Sequence, residues 1–312
     1  INQSTPTLAI DWASFDVSAT ESVRFNQPSV SSVALNRVTS GSPSSIFGRI
    51  DANGKIILVN SAGILFGKTA QVNTGAFVAS SMEFDETTLG ADRLRFSGPG
   101  AKIENAGALN GQEFVAVVAP SIDNSGTVRG GSVALAAGAE VIISTASGLF
   151  DVQVPAGAVT AAIENKGGVV ATQGVAYLTA RGVSAATSSL SNPGRVEATG
   201  LVERDGRIYL ESEGALTTVG TVKASRAADG GDVEIKGGFV ALGGTISADG
   251  AKGGTVKVES KGMLSLADKV TAKGLQTSGG SITYHSLGQT IENSTGFSDV
   301  SGRMDGGKIS LN

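Results

Sequence analysis

The 312-residue chain holds 44 glycines, about 14% against a usual ~7%, with 40% hydrophobic residues and only seven prolines, which excludes both a collagen repeat and a disordered linker. Without cysteine it has no thiolate chemistry, disulfide or Cys-based metal site, and a lone His285 rules out any scheme that needs two histidines. Its 24 basic and 28 acidic residues give a net charge of -4 with no basic stripe, so no nucleic-acid partner is expected.

The chain starts at Ile1 in an extended-looking segment with no basic start and no signal-peptide core, so it reads as either cytosolic or a processed or trimmed piece. Motif-like words crowd the first 80 residues: Ile10-Asp11-Trp12, Phe15, Val23-Arg24-Phe25, Gln27-Pro28, Leu35-Asn36-Arg37-Val38, Ser45-Ile46 and Gly48. Asn53-Gly54, Asn60-Ser61-Ala62-Gly63-Ile64-Leu65-Phe66-Gly67 and Gly75-Ala76-Phe77-Val78-Ala79-Ser80 complete the set. Trp12 and Phe15 are expected in a cap and first-coil core. Ala62 to Thr69 satisfies a loosened phosphate-loop pattern, but bulky Ile64-Leu65-Phe66 at its centre and strand grammar after it argue against nucleotide binding. Asp51-Ala52-Asn53-Gly54 reads as a turn and not as a calcium loop.

Residues 82–100 are richer in charge and read as an excursion from whatever regular structure surrounds them. The longest apolar run, Phe114 to Ala119, is far below the ~20 residues of a membrane-spanning helix. Asn-x-Gly recurs at Asn105, Asn124, Asn165 and Asn192, each with an apolar residue four positions on: Leu109, Val128, Val169 and Val196. Residues 149–163 read as two strands around Pro155-Ala156-Gly157, a projecting hairpin. The Asn-less turns Gly220-Thr221-Val222 and Gly244-Thr245-Ile246 continue the theme.

Gly-Gly pairs open similar segments at Gly130, Gly230, Gly253, Gly279 and Gly306, the last four spaced by 23, 26 and 27 residues. In each segment the third and fifth residues after the first glycine are apolar: Val133 and Leu135, Val233 and Ile235, Val256 and Val258, Ile282 and Tyr284, Ile309 and Leu311. That is strand alternation repeated in register. Helical solenoids and leucine-rich repeats lack support in the periodicity. Coils of about 20 to 27 residues made of short strands predict an all-β parallel β-helix, with roughly 12 to 14 coils stacked at ~4.8 Å into a rod about 60 Å long. Glycine is expected at its corners, with asparagine amides laddering from coil to coil. The last pair, Gly306-Gly307, opens a coil that the sequence does not finish, which suggests a piece of a longer protein.

The order of the N-terminal words, over about residues 8 to 81, resembles the secretion domain of two-partner secretion exoproteins, the family of filamentous haemagglutinin and the high-molecular-weight adhesins. The resemblance implies a right-handed parallel β-helix with an N-terminal cap and an extra-helical hairpin. It implies export through the periplasm to the extracellular space or cell surface, by way of an Omp85-type outer-membrane transporter whose POTRA domains receive an extended chain. Asn60, Gly63 and Ile64 match the family's Asn-Pro-x-Gly-Ile turn, with Ser61 where proline is usual, and Asn36 and Arg37 match its second word. Two roles stay open for these five: structural turn and packing residues, or direct contact with the transporter.

The expected organisation is a cap and secretion-signal part over 1–81, further coils with the hairpin over 82–229, and regular coils beginning a stalk over 230–312. No catalytic residue, metal or cofactor is expected, and the isolated chain is expected to be a monomer. An adhesin is the favoured whole protein, since Gly-Gly coils run to the last residue, and downstream regions would meet any polysaccharide or host receptor. The same domain also fronts cytolysins, haem-acquisition proteins and contact-dependent toxins. A rival from another class is a β-helix polysaccharide lyase or hydrolase, for which the candidate charged clusters are Glu83-Asp85-Glu86 with Asp92-Arg93-Arg95, and Glu203-Arg204-Asp205-Arg207. Both clusters read as solvated loops, and His285, at outward parity, as a surface residue.

Overall fold

The computed structural model describes residues 1–146, 149–200 and 206–312. Its strands form one large, almost wholly parallel sheet wound into a three-faced coil, and a separate four-stranded antiparallel sheet. In a representative coil the first face is Ile64–Phe66, while Gln71–Ser80 supplies the second face with its first half and the third with its second half. Each strand pairs with the equivalent strand of the coils before and after it, so Val72 on the second face sits between Ile50 and Leu109. The expected parallel β-helix is the observed architecture.

The Gly-Gly segments all open the third face. There Val133, Ala176, Ile208, Val233, Val256, Ile282 and Ile309 form one column, and Leu135, Leu178, Leu210, Ile235, Val258, Tyr284 and Leu311 another. Both point into the tube, where they join its continuous apolar core, and the last rung alone leaves Ile309 and Leu311 exposed. The second glycine of each pair is needed for stacking: a Cβ on Gly254, Gly280 or Gly307 would collide with the backbone carbonyl of the glycine one coil below. That close approach explains most of the glycine excess along this corner.

The asparagines of the Asn-x-Gly turns close the first face and form a buried ladder. The Asn105 side-chain amide donates to Asn124 Oδ1 at 2.8 Å, Asn124 to Asn165 at 2.7 Å and Asn165 to Asn192 at 2.7 Å. All four are at most 3% exposed, so every link satisfies a donor and an acceptor that would otherwise be desolvated without a partner. The column then changes chemistry to Thr218, Leu242 and Leu266.

The antiparallel sheet is built from both excursions. Glu83–Phe84 and Arg93–Ser97 leave the rod between one coil and the next, and Glu140–Ser144 and Asp151–Ala156 do so two coils later. Arg93–Ser97 pairs with Glu140–Ser144, which pairs in turn with Asp151–Ala156. The projecting hairpin is therefore 140–156 and not 149–163: Ala161–Asn165 has already rejoined the first face beside Ser121–Asn124. Pro155 lies inside the outermost strand, where a missing N–H costs no ladder bond.

A second core lies between this sheet and the outer side of the third face. Met82, Leu94, Phe96, Val141, Ile143, Val152 and Val154 pack on Leu35, Ile57, Val78, Ala116, Val118 and Ala136. The run Phe114 to Ala119 is continuous because this strand has a core on each side.

Candidate functional site

The five residues singled out from the sequence lie on neighbouring rungs at the end of the third face and the turn that follows. Asn36 and Arg37 belong to Val33–Val38, and Arg37 is opposite Val59, one residue before Asn60. The strand Lys55–Val59 stops at Asn60 because the chain turns there into the first face.

Asn60 is fully buried and commits its whole amide internally. Its Nδ2 donates to the Ser42 carbonyl and to Ser44 Oγ, both at 3.0 Å, and its Oδ1 accepts from the Ala62 N–H at 3.0 Å. Its own carbonyl accepts from the Gly63 N–H at 2.9 Å, closing the turn. Gly63 has φ +108°, and a Cβ there would lie 2.8 Å from the Lys102 carbonyl. Both facts demand glycine. Ile64 is 2% exposed and stands between Ser44 and Ile103 on the first face. The turn is also the seat onto which the chain returns from its first excursion, as the Ala101 N–H donates to the Ser61 carbonyl at 3.0 Å.

Asn36 is fully buried too, and its Oδ1 accepts from the Trp12 indole N–H at 3.1 Å. Trp12 meets Phe15 edge to face at 5.3 Å, which locks the first strand, Thr7–Trp12, onto Val33–Val38. Arg37 points the other way. Its guanidinium holds Asp11 through a two-pronged pair at 2.8 and 3.0 Å and reaches Glu86, on the short 3-10 turn of the first excursion. Of the five, Arg37 alone offers its polar group to solvent, with its side chain 40% exposed.

Sequence reasoning set Glu86 and Arg95 aside as solvated charges. In the fold Glu86 clasps the excursion to Arg37, and Arg95 pairs with Glu140 at 2.9 Å across the antiparallel sheet. Neither pairing has a local signal, since 49 and 45 residues separate the partners. Ser42 and Ser44, the partners of Asn60, were missed for the same reason. Of the second charged cluster, Glu203, Arg204 and Asp205 lie outside the described residues, and Arg207 pairs with Asp232 at 3.3 Å. His285 is exposed on the third face. Among the described residues no group of three or more His, Cys, Asp or Glu side chains is placed to hold a metal.

Residues 1–266 match the family model of the TPS secretion domain. Among curated proteins, the heme/hemopexin-binding protein of Haemophilus influenzae strain Rd is 30% identical over 234 residues, which cover 68% of this chain and 25% of that protein. A second Haemophilus influenzae heme/hemopexin-binding protein is 33% identical over 97 residues, covering 31% of this chain and 10% of that protein. The chain thus spans about a quarter or less of the length of these curated relatives. In three dimensions it resembles the HMW1 secretion domain from Haemophilus influenzae, with a TM-score of 0.79 and 24% identity over 98% of this chain and 92% of that one, a likeness of fold.

Proposed function

Because the chain belongs to the TPS secretion domain family, we propose that it directs export of a larger exoprotein through an Omp85-type outer-membrane transporter and has no catalytic activity of its own. The observation that carries this reading is the family match over residues 1–266, which takes in both the early coils and the two excursions.

The burial of the motif residues supports a particular division of labour. In the folded rod Asn36, Asn60 and Ile64 are at most 2% exposed, and Gly63 has no side chain to offer. A transporter that reads these four must therefore meet them before the rod forms, as an extended chain whose main-chain groups and alternate side chains are free for strand addition. Once the chain is outside, coils that stack one on another would draw it outward, since each new coil buries the open end of the one before. We assign Asn36, Asn60, Gly63 and Ile64 to shaping the first coils, and Arg37 to the clasp with Asp11 and Glu86.

For the whole protein the favoured reading is a surface adhesin, supporting cell attachment, aggregation or biofilm formation, because the Gly-Gly coils repeat in a stackable register of the kind a stalk needs. A second reading, heme or hemopexin capture, is favoured by the names of the two curated relatives. Deleting residues 1–80 from the full-length protein tests the export role. Loss of the protein from the medium and cell surface, with retention in the periplasm, is the expected result; unchanged export would refute it.

A further inference from the structure

A groove of about 980 Å³ runs along the outer side of the second face and round the corner into the third. We propose that it is a binding site for a linear, carboxylate-bearing oligosaccharide, which goes beyond the export role and does not depend on it.

The floor is a row of outward-facing side chains on consecutive coils: Arg24, Asp51, Asn73, Asn110 and Arg129. With strands ~4.8 Å apart, the four steps span about 19 Å. The row is wired in one direction. Asn110 Nδ2 donates to Asn73 Oδ1 at 3.1 Å, Asn73 Nδ2 to Asp51 Oδ1 at 3.2 Å, and Arg49 Nε to Asp51 Oδ2 at 2.6 Å. Burial alone would push the Asp51 carboxyl up, yet the hydrogen bonds from Arg49 and Asn73 and the charges of Arg49 and Arg24 hold it below the usual carboxylate range. Asp51 is thus an anion occupied with organising the row.

What remains open to a ligand is of the other sign. Among the described residues of the lining, Arg24, Arg49 and Arg129 are the cations and Asp51 the one carboxylate, so this row is locally positive in a chain of net charge -4. The Arg24 guanidinium lies 3.8 Å from Asp51 with its side chain 70% exposed, a loose pair in water. The Arg129 residue is exposed, and its guanidinium has no ion-pair or hydrogen-bond partner among the described residues. One wall is raised by the bulge between Gly111 and Phe114, which pushes out Gln112. The lining also includes Thr74, whose hydroxyl is buried without a hydrogen-bond partner, a deficit that a water or ligand oxygen entering beside it would remove.

An elongated, open trough with carboxamides between two available guanidiniums suits a ligand that is long, rich in hydroxyls and anionic. Arginine forks bind carboxylates, and carboxamides both donate to and accept from hydroxyls. Among the described residues of the lining the only aromatic one, Phe25, is 1% exposed and offers no ring for base stacking, so nucleic acid is the poorer fit. The proposal is for binding alone, since the one carboxylate among the described lining residues is tied into ion pairs and the hydrolytic schemes of glycosidases need two.

The test is titration calorimetry of the purified 312-residue chain with tetragalacturonate, with its full methyl ester, and with tetraglutamate. The expected result is saturable binding of the uronate, about tenfold weaker binding of the ester and the peptide, and about tenfold loss in Arg129→Gln with an unchanged melting temperature. Asn110→Ala should weaken the uronate as well. The proposal is overturned if the uronate does not bind, if Arg129→Gln binds it equally well, or if the tetraglutamate binds as tightly. Export of Arg129→Gln should match the unsubstituted protein, which keeps this result separate from the transporter reading.

Discussion

The third face of the rod exists in two forms. In the early coils Ser132–Ala137 is buried at every position, whereas in the later coils Thr255–Ser260 alternates, with Val256 and Val258 buried and Thr255 and Lys257 exposed. Register and inner columns are the same in both. The difference lies outside the tube: the antiparallel sheet covers the early coils and stops near the stacked pair Tyr177–Tyr209, whose rings are 4.9 Å apart. Beyond it the outer positions carry Glu211, Glu234, Lys236, Lys257 and Glu259. One β-helix thus supports either a face between two cores or a face between core and water, and the outward-pointing residues decide which.

The sharpest way to break this comparison is to empty the second core. Phe96 is fully buried between the antiparallel sheet and the rod and meets Phe84 at 5.2 Å. Phe96→Ala should cost about 3–5 kcal/mol in denaturant unfolding, with the loss confined to the early coils in hydrogen exchange. A loss spread evenly along the rod would mean that the two halves are not distinct. The asparagine ladder is the next largest effect. Asn124→Ala leaves the Asn105 amide without its acceptor and Asn165 without its donor, and should destabilise by about 1–3 kcal/mol for each buried group left unpaired.

In the open half, Tyr284 points into the tube and its hydroxyl shares a 2.7 Å hydrogen bond with Ser298. Burial pushes its pKa up to about 12, against 10 for the free side chain. The folded state therefore holds this proton more tightly than the unfolded chain, so the contribution is complete below pH 10 and is lost as the pH rises towards 12. Tyr284→Phe should cost about 0.5–1.5 kcal/mol at neutral pH and flatten that alkaline decline. Denaturation midpoints across the alkaline range check it, and an unchanged slope would count against the assignment. Lys257→Ala, on the open outer face, should change stability by less than about 0.5 kcal/mol. A large effect there would show that the outer face of the later coils is not simply solvated.

Much of the rod was legible because its corners are written in residue type. The Gly-Gly pairs mark where backbone meets backbone between coils, and the Asn-x-Gly turns mark a column whose amides must find one another. The covering sheet was harder to read. Pro155 looked like the centre of a turn, yet it sits in the edge strand Asp151–Ala156, where a proline is tolerated. The pairing of Arg93–Ser97 with Glu140–Ser144 is made only when two excursions leave the rod on the same side, and no local pattern encodes that. At the candidate site the turn was visible as Asn60-x-x-Gly63-Ile64, while its partners Ser42 and Ser44 and the Arg37–Glu86 clasp depend on tertiary placement.

The central claim is that this domain commits a larger protein to a dedicated outer-membrane transporter. The most direct measurement is the amount of full-length protein in the medium and on the surface of cells that carry or lack that transporter gene, with the periplasmic pool followed in parallel. The account predicts surface and secreted protein only when the transporter is present, and periplasmic accumulation or degradation when it is absent. Equal release from both strains would contradict it.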